Sequence, residues 1–208
     1  PAGSSFSLQT SSFQYDLQGR MDQAVTETFN AGALSSRNRA IYQYDTDGIR
    51  FRAVSETDTV LDLTTANWQL TTDTKYLIDA HNHTGYQQVL EEVVTDTDGN
   101  LVEKIAYSIG LDHISQTEYA PSPGGEGWGE GVTAVFHTDG HGSTRILTDT
   151  AGSILRLAGA MQIYHYTAYG NAINFQMSNA GTQYLYSGEQ FDARIGEQYL
   201  RARYYDSA

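Results

Sequence analysis

The sequence contains no cysteine in its 208 residues. That excludes disulfides, thiolate catalysis and cysteine-ligated zinc, while leaving the cellular compartment open. Positive charge is scarce: 12 Lys and Arg stand against 25 Asp and Glu, for a net charge of −13. Such a chain is repelled by phosphate backbones and by anionic membrane surfaces. Nucleic-acid binding is therefore disfavoured, and the acidic surface serves solubility or attracts cationic partners. No apolar run approaches the ~20 residues of a membrane span. Pro1-Ala2-Gly3-Ser4-Ser5 lacks the basic start and apolar run of a signal peptide, and Tyr205-Asp206-Ser207-Ala208 stops without a closing element. The expectation is a piece of a longer chain. Helical periodicity is also scarce. Its best candidate, Met21 to Leu34, carries Thr26, Thr28 and Gly32 and has no clean apolar stripe.

Strand and turn signals take the place of helices. A chain of this length fits one or two domains and can bury a sizeable core. The 15 Tyr, 7 Phe and 2 Trp suit half-buried sheet faces, since tyrosine joins an apolar ring to a polar tip. Apolar and polar residues alternate in Ile41 to Tyr44, Ile49 to Val54 and Leu101 to Tyr107, and Ile163 to Tyr166 forms a short dense run. The turns repeat a formula, Asp-x-x-Gly, at Asp16 to Gly19, Asp45 to Gly48, Asp96 to Gly99 and Asp149 to Gly152. Asp47-Gly48, Asp98-Gly99 and Asp139-Gly140 add the strongest short hairpin signal, because both residue types tolerate the positive φ of a tight turn. The leading Asp is placed to accept backbone N–H bonds across the turn. Val93-Val94 and Leu101-Val102 read as the arms of one hairpin. The ragged repeat predicts stacked hairpins whose open edges need covering. Ala120 to Gly131 is rich in Gly and Pro and reads as a loop or linker. Trp128 within it is either a stacking contact for a sugar or partner, or an anchor pinning the loop.

Certain residues carry a family resemblance. Tyr15-Asp16-Leu17-Gln18-Gly19-Arg20-Met21 resembles the Tyr-Asp-x-x-Gly-Arg-Leu repeat of RHS/YD proteins, and Tyr44-Asp45-Thr46-Asp47-Gly48 follows it in part. His137 to Asp149 resembles the opening of the RHS-associated core domain, including Gly142, Ser143 and Arg145. Tyr166-Thr167-Ala168-Tyr169-Gly170-Asn171 resembles its central element. Tyr186 to Asp192, with Gly188, and Tyr199 to Asp206, with Arg201, Arg203, Tyr204 and Tyr205, resemble its closing signature. The resemblance implies a β-sheet that spirals into a hollow shell, enclosing a toxin in bacteria and supporting adhesion in teneurins. It also implies a self-cleavage site past Arg-Tyr-Tyr-Asp in an Asp-Pro-x-Gly context. Here Asp206 is followed by Ser207, so the resemblance carries over no catalytic residue.

The signature residues have physical readings. Tyrosines of successive Tyr-Asp units are placed to stack across strands and fix register. On a strand, Arg201 and Arg203 would share one face and Leu200, Ala202 and Tyr204 the other, with the arginines pairing with Asp192 or Glu189 or stacking on tyrosines. The pairs His137/His141 and His81/His83 have metal-ligand residue types, but an Asp-Gly turn between His137 and His141 gives their rings no reason to converge. Gly142-Ser143-Thr144 lacks the flanks of a nucleophile elbow, and Ser143 reads as a turn cap. Among the many carboxylates, Asp192 and Asp206 are the first suspects for any aspartyl chemistry.

The reading is an all-β fold of antiparallel YD-repeat hairpins in a curled or spiralling sheet, a segment of an RHS-type shell. Residues 1–119 are the repeat-like hairpins, 120–131 the loop or linker, and 132–208 the core-like segment. The expected role is a secreted or cell-surface structural wall or cap, not an enzyme, self-assembling through open edges. The competing roles are a carbohydrate-binding adhesion module using Trp128 and a self-cleaving aspartyl core. No cofactor or metal is expected. The expected partners are the rest of a longer chain or copies of itself, with toxin cargo or a surface glycan further candidates.

Overall fold

A computed structural model describes residues 7–82, 85–122, 128–201 and 203–207. His83, Ala202 and the stretch 123–127 of the Gly- and Pro-rich segment lie outside the described residues. Ten strands form one sheet whose order follows the chain. They are β1 (Ser7–Tyr15), β2 (Met21–Asn30), β3 (Ala33–Tyr44), β4 (Arg50–Asp58), β5 (Trp68–Asp79), β6 (Gln88–Thr95), β7 (Leu101–Ile109), β8 (His113–Tyr119), β9 (Val132–Thr138) and β10 (Thr144–Thr148). The chain divides into two compact units. One comprises residues up to 75 with 94–100, and the other 76–93 with everything from 101 onward.

The turns explain the meander. In five of them, starting at Asp16, Asp45, Asp96, Asp139 and Asp149, the Asp N–H donates to the carbonyl four residues on, and the fourth residue's N–H donates back to the Asp carbonyl. The fourth residue is always a glycine at positive φ: +77° at Gly19, +83° at Gly48, +81° at Gly99, +80° at Gly142 and +85° at Gly152. This is a type I turn closed by a glycine bulge, which suits the right-handed twist of the flanking strands. In each, the Asp Oδ1 accepts two more backbone N–H groups, as at Asp96, which receives Asp98 N at 2.9 Å and Asn100 N at 2.8 Å. The same pattern recurs at Asp16, Asp45, Asp139 and Asp149. Thr167 to Asn171 repeats the corner with a threonine, whose Oγ1 accepts Asn171 N at 3.1 Å, and Gly170 sits at φ +90°. Asp139-Gly140 is thus not a two-residue hairpin turn: the bulge glycine is Gly142.

Two further expectations are corrected. Met21 to Leu34 is not helical. It is β2, a two-residue turn and the start of β3, paired from Asn30 with Ala33 back to Gln23 with Ile41. Val25, Thr26, Thr28 and Phe29 are β-branched or aromatic and favour the pleated surface. Ala31 and Gly32, at φ 51° and 83°, make the turn that needs positive φ at both central residues. Ile163 to Tyr166 is not a regular strand but carries isolated bridges from Ile163 to Ile146 and from Tyr166 to Ala172.

The tyrosine ladder also takes another form. Tyr44 lies under the Arg20 guanidinium, 4.9 Å from its centroid, and its hydroxyl donates to Met21 O at 2.8 Å. Arg20 in turn pairs with Asp16 at 2.6 Å and donates to Asp45 O at 3.2 Å. One corner is therefore tied to the next through Arg20, while Tyr15 stays 58% exposed.

In the second unit, the core gathers Ile105 and Tyr107 of β7, Ala134 and Phe136 of β9, Leu147 of β10, and Tyr164, Tyr166, Tyr184, Leu185 and Phe191 from the following chain. That chain holds a small hairpin, β11 (Arg156–Leu157) with β12 (Ala160–Met161). It then forms a three-stranded sheet of β13 (Gln190–Asp192), β14 (Glu197–Tyr199) and β15 (Tyr204–Tyr205).

Because a Cβ on Gly99 or Gly140 would meet nothing within 4 Å, alanine there isolates backbone strain. Gly99→Ala is expected to cost ~1 kcal/mol, since its φ is left-handed, and Gly140→Ala much less. Urea denaturation of both variants checks this, and equal losses would refute the assigned corner.

Candidate functional site

The chemistry-bearing residues of the second unit gather where the chain after β10 lies on one face of its strands. Strand alternation aims Glu92 of β6, Tyr107 of β7 and Gln116 of β8 into that seam. Glu92 is 1% exposed. Its Oε1 accepts the Tyr107 hydroxyl at 2.9 Å and Gln190 Nε2 at 3.3 Å, and its Oε2 accepts Gln183 Nε2 at 3.3 Å. Gln190 also donates to Gln183 Oε1 at 2.9 Å. Burial first, and then the Glu92 charge, push the Tyr107 phenol well above its ordinary range, so it remains a donor. Gln116 Nε2 donates to Gly181 O at 2.7 Å. Thr144 of β10 fixes the same segment twice, through N–H to Leu185 O at 2.9 Å and Oγ1 to Tyr184 O at 2.6 Å. A buried carboxylate needs such partners, because an unpaired one is costly.

The signature residues converge on the edge of this seam. Ser143, 1% exposed, accepts Ser187 N at 2.9 Å through Oγ. It therefore clamps two turns together rather than capping only its own. Gly142 and Gly188 let those turns meet backbone to backbone, since a Cβ on Gly188 would stand 3.1 Å from Gly142 O. Gly170 is likewise required, because a Cβ there would stand 2.7 Å from the Tyr186 ring. Tyr205 donates to Tyr169 O at 3.0 Å. Arg145 pairs with Asp139 at 2.7 Å and covers the Tyr166 ring at 5.2 Å.

Arg201 and Arg203 do not lie on a strand. Arg201 has φ 64°, and β15 begins only at Tyr204. The bend aims Arg201 at Glu189, 3.1 Å away, and over Tyr86 at 5.3 Å, while Arg203 is exposed. Trp128 is half-buried, and its backbone bridges back to Pro121. The histidines take separate partners: His137 Nε2 meets Thr148 Oγ1 at 3.0 Å, and His141 Nε2 meets Ser187 Oγ at 2.9 Å. His81 is exposed. Among the described residues, no three His, Cys, Asp or Glu side chains gather as metal ligands. Asp192 is buried against Arg194 at 3.3 Å and Asp206 is exposed. Burial first, and then the charges of Asp206 and Asp192, raise the Glu197 carboxyl above its ordinary value.

No family profile matches the chain. Over 114 residues it is 28% identical to a tRNA3(Ser)-specific nuclease WapA of Bacillus spizizenii, a match covering 54% of this chain and 4% of that protein. A TcdB2-TccC3 crystal structure aligns with 95% of this chain over 9% of that chain, at 18% identity and TM-score 0.62. The chain shares its all-β fold with part of that TcdB2-TccC3 chain. A TcdB2-TccC3 structure without the hypervariable C-terminal region gives TM-score 0.60 at 16% identity, covering 95% of this chain and 8% of that one. A Photorhabdus luminescens Tc holotoxin pore gives TM-score 0.60 at 17% identity, with the same coverage of both chains. This chain thus spans less than a tenth of the solved chains it matches.

Sequence reasoning missed Glu92, Gln183 and Gln190, and it passed over His113. The one available signal was Glu92 standing beside the Val93-Val94 run of a strand.

A second carboxyl cluster borders the seam. Burial first, then Glu118 of β8, hydrogen-bonded to it, and then Glu92 together raise Glu103 of β7 to about 7. Its ordinary value is 4.5, so the fold disfavours its charged form. That penalty is absent below pH ~4.5 and complete above pH ~7. Glu103→Gln is expected to raise Tm by roughly 2–4 °C at pH 8, allowing for screening of a half-exposed pair. At pH 4 the two proteins should melt together, and calorimetry at both values decides.

Proposed function

We propose that this chain is a wall segment of a toxin-associated RHS-type β-sheet, with the residues after β10 folded back as a cover on one face of its strands. The role is structural: it holds sheet and cover together as part of a larger secreted or cell-surface assembly. The observation that carries this is the single sheet built in chain order and turned by one repeated corner. The solved proteins that share the fold, a TcdB2-TccC3 protein and a Tc holotoxin pore, support a place in a longer chain. The partial match to a nuclease supports the toxin association.

The partner is another strand of the same kind. β1 stands at the end of the sheet order, and its nine residues, Ser7–Tyr15, carry no charge and no proline. An edge of that length without charged residues is a template for strand addition. In β10, by contrast, Ile146 and Thr148 bridge to Ile163 and Ile154. The cover gives the sheet a closed end on that side, and β1 receives the neighbouring strand on the other.

Light scattering on the purified chain tests this. The wild type is expected to associate as concentration rises, and a variant carrying Ser11→Lys and Ser12→Lys on β1 to remain monomeric. A wild type that stays monomeric throughout would overturn pairing through this edge.

A further inference from the structure

His113 opens β8 inside an aromatic box that joins the sheet to its cover. Its ring stacks on Tyr184 of the cover, with centroids 3.8 Å apart. Tyr107 of β7 meets it edge-on at 5.8 Å, and Phe136 of β9 lies at 5.7 Å. Tyr184 also meets Tyr107 edge-on at 5.0 Å. Among the described residues, the buried His113 Nε2 has no hydrogen-bond partner. Tyr184 is the same residue whose carbonyl accepts Thr144 Oγ1, so the box and that bond hold one point of the cover.

The geometry points to His113 as an acid-operated catch, neutral when the cover is seated and expelled from the box on protonation, freeing residues 181–191 from the sheet. A neutral imidazole stacks on tyrosine as an ordinary aromatic ring. An imidazolium must surrender its hydration, and its buried Nε2 finds no acceptor. The titratable and charged groups around it are few. Tyr107 is a phenol bonded to Glu92 of β6, Tyr184 is a phenol, and β9 offers only the apolar Phe136. Arg201 from the C-terminal chain is the cation felt at the ring. Burial, then the Arg201 charge, lower His113 from 6.5 to about 4.

A lowered histidine favours the folded state fully above pH ~6.5, and that contribution fades as pH falls towards 4. Glu103 acts with the opposite sign over nearly the same range, so a whole-molecule melting curve does not report the catch. The readout must be local. Hydrogen exchange, corrected for its intrinsic pH dependence, is measured on residues 181–191 and on residues 33–44 of β3 at pH 7 and pH 4.5. In the wild type, protection of 181–191 is expected to fall about tenfold or more, and that of 33–44 to hold. His113→Phe keeps the ring and removes the proton, so its cover should stay protected at both values. Equal protection of the wild-type cover at both pH values overturns the proposal, as does an equal loss in His113→Phe. Should that variant not fold, nuclear magnetic resonance titration of wild-type His113 decides. A midpoint well below 6.5, moving together with the Tyr184 ring signals, supports the catch, and a midpoint at 6.5 or above overturns it.

Discussion

Four reversals of the sheet, at Asp16, Asp45, Asp96 and Asp139, depend on one interaction, a short side-chain oxygen that accepts the backbone N–H groups stranded at a corner. A turn strips donors from the ladder, and stranded donors are costly wherever water does not reach them. Aspartate answers with one Oδ1 that takes two N–H groups, while a left-handed glycine closes the bulge. At Asp96, Asn100, by side chain and then by backbone, holds the carboxyl below its ordinary value. At Asp16 the Arg20 N–H is the leading cause. The corner is thus electrostatically favourable as well as sterically fitted. Much of the excess of Asp and Glu that first reads as a solubility device includes these structural acceptors.

The seam in the second unit obeys the same rule at higher stakes. Glu92 places a carboxylate in a region that excludes water, where an incomplete set of partners would be worse than an apolar core. Tyr107 comes from the sheet, and Gln183 and Gln190 from the cover, so the network is complete only when both parts are in place. Apolar contacts around Leu147 and Leu185 supply area without direction. The polar network supplies the register in which the cover sits, and Thr144 and Ser143 repeat that register at two further points.

How much of this was legible follows from the range of each interaction. The Asp corners are local, so Asp16, Asp45, Asp96 and Asp149 could be found from spacing alone. The corner at Asp139 was hidden because Asp139-Gly140 drew attention from Gly142, and the one at Thr167 because a hydroxyl replaces the carboxyl. Met21 to Leu34 offered only a weak helical pattern, which its β-branched Val25, Thr26 and Thr28 override by favouring the pleated surface. Arg201 could be paired with Glu189 in advance, but its left-handed backbone could not be foreseen, since arginine rarely adopts it. Glu92 was invisible for a deeper reason. Its glutamine partners, Gln183 and Gln190, lie 91 and 98 residues away, and no periodicity encodes a bond of that range. Ser143 showed half its role, the local turn, and concealed its bond to Ser187.

The two perturbed groups of β8 and its neighbour sit at opposite ends of one strand. His113 begins β8 and Glu118, bonded to Glu103, stands near its end, roughly 17 Å apart at the usual strand rise. Lowering the pH through the range 7 to 4.5 protonates Glu103 and relieves a repulsion that the fold imposes. The same change forces a charge towards an aromatic box that has no acceptor for it. One end of the strand is therefore tightened and the other loosened by the same protons. The two groups are displaced from their ordinary values in opposite directions, 4.5 to about 7 and 6.5 to about 4, so their contributions offset one another. A fold arranged in this way redistributes its stability with pH, so acid loosens the cover at the His113 end while it relieves the strands at the Glu103 end.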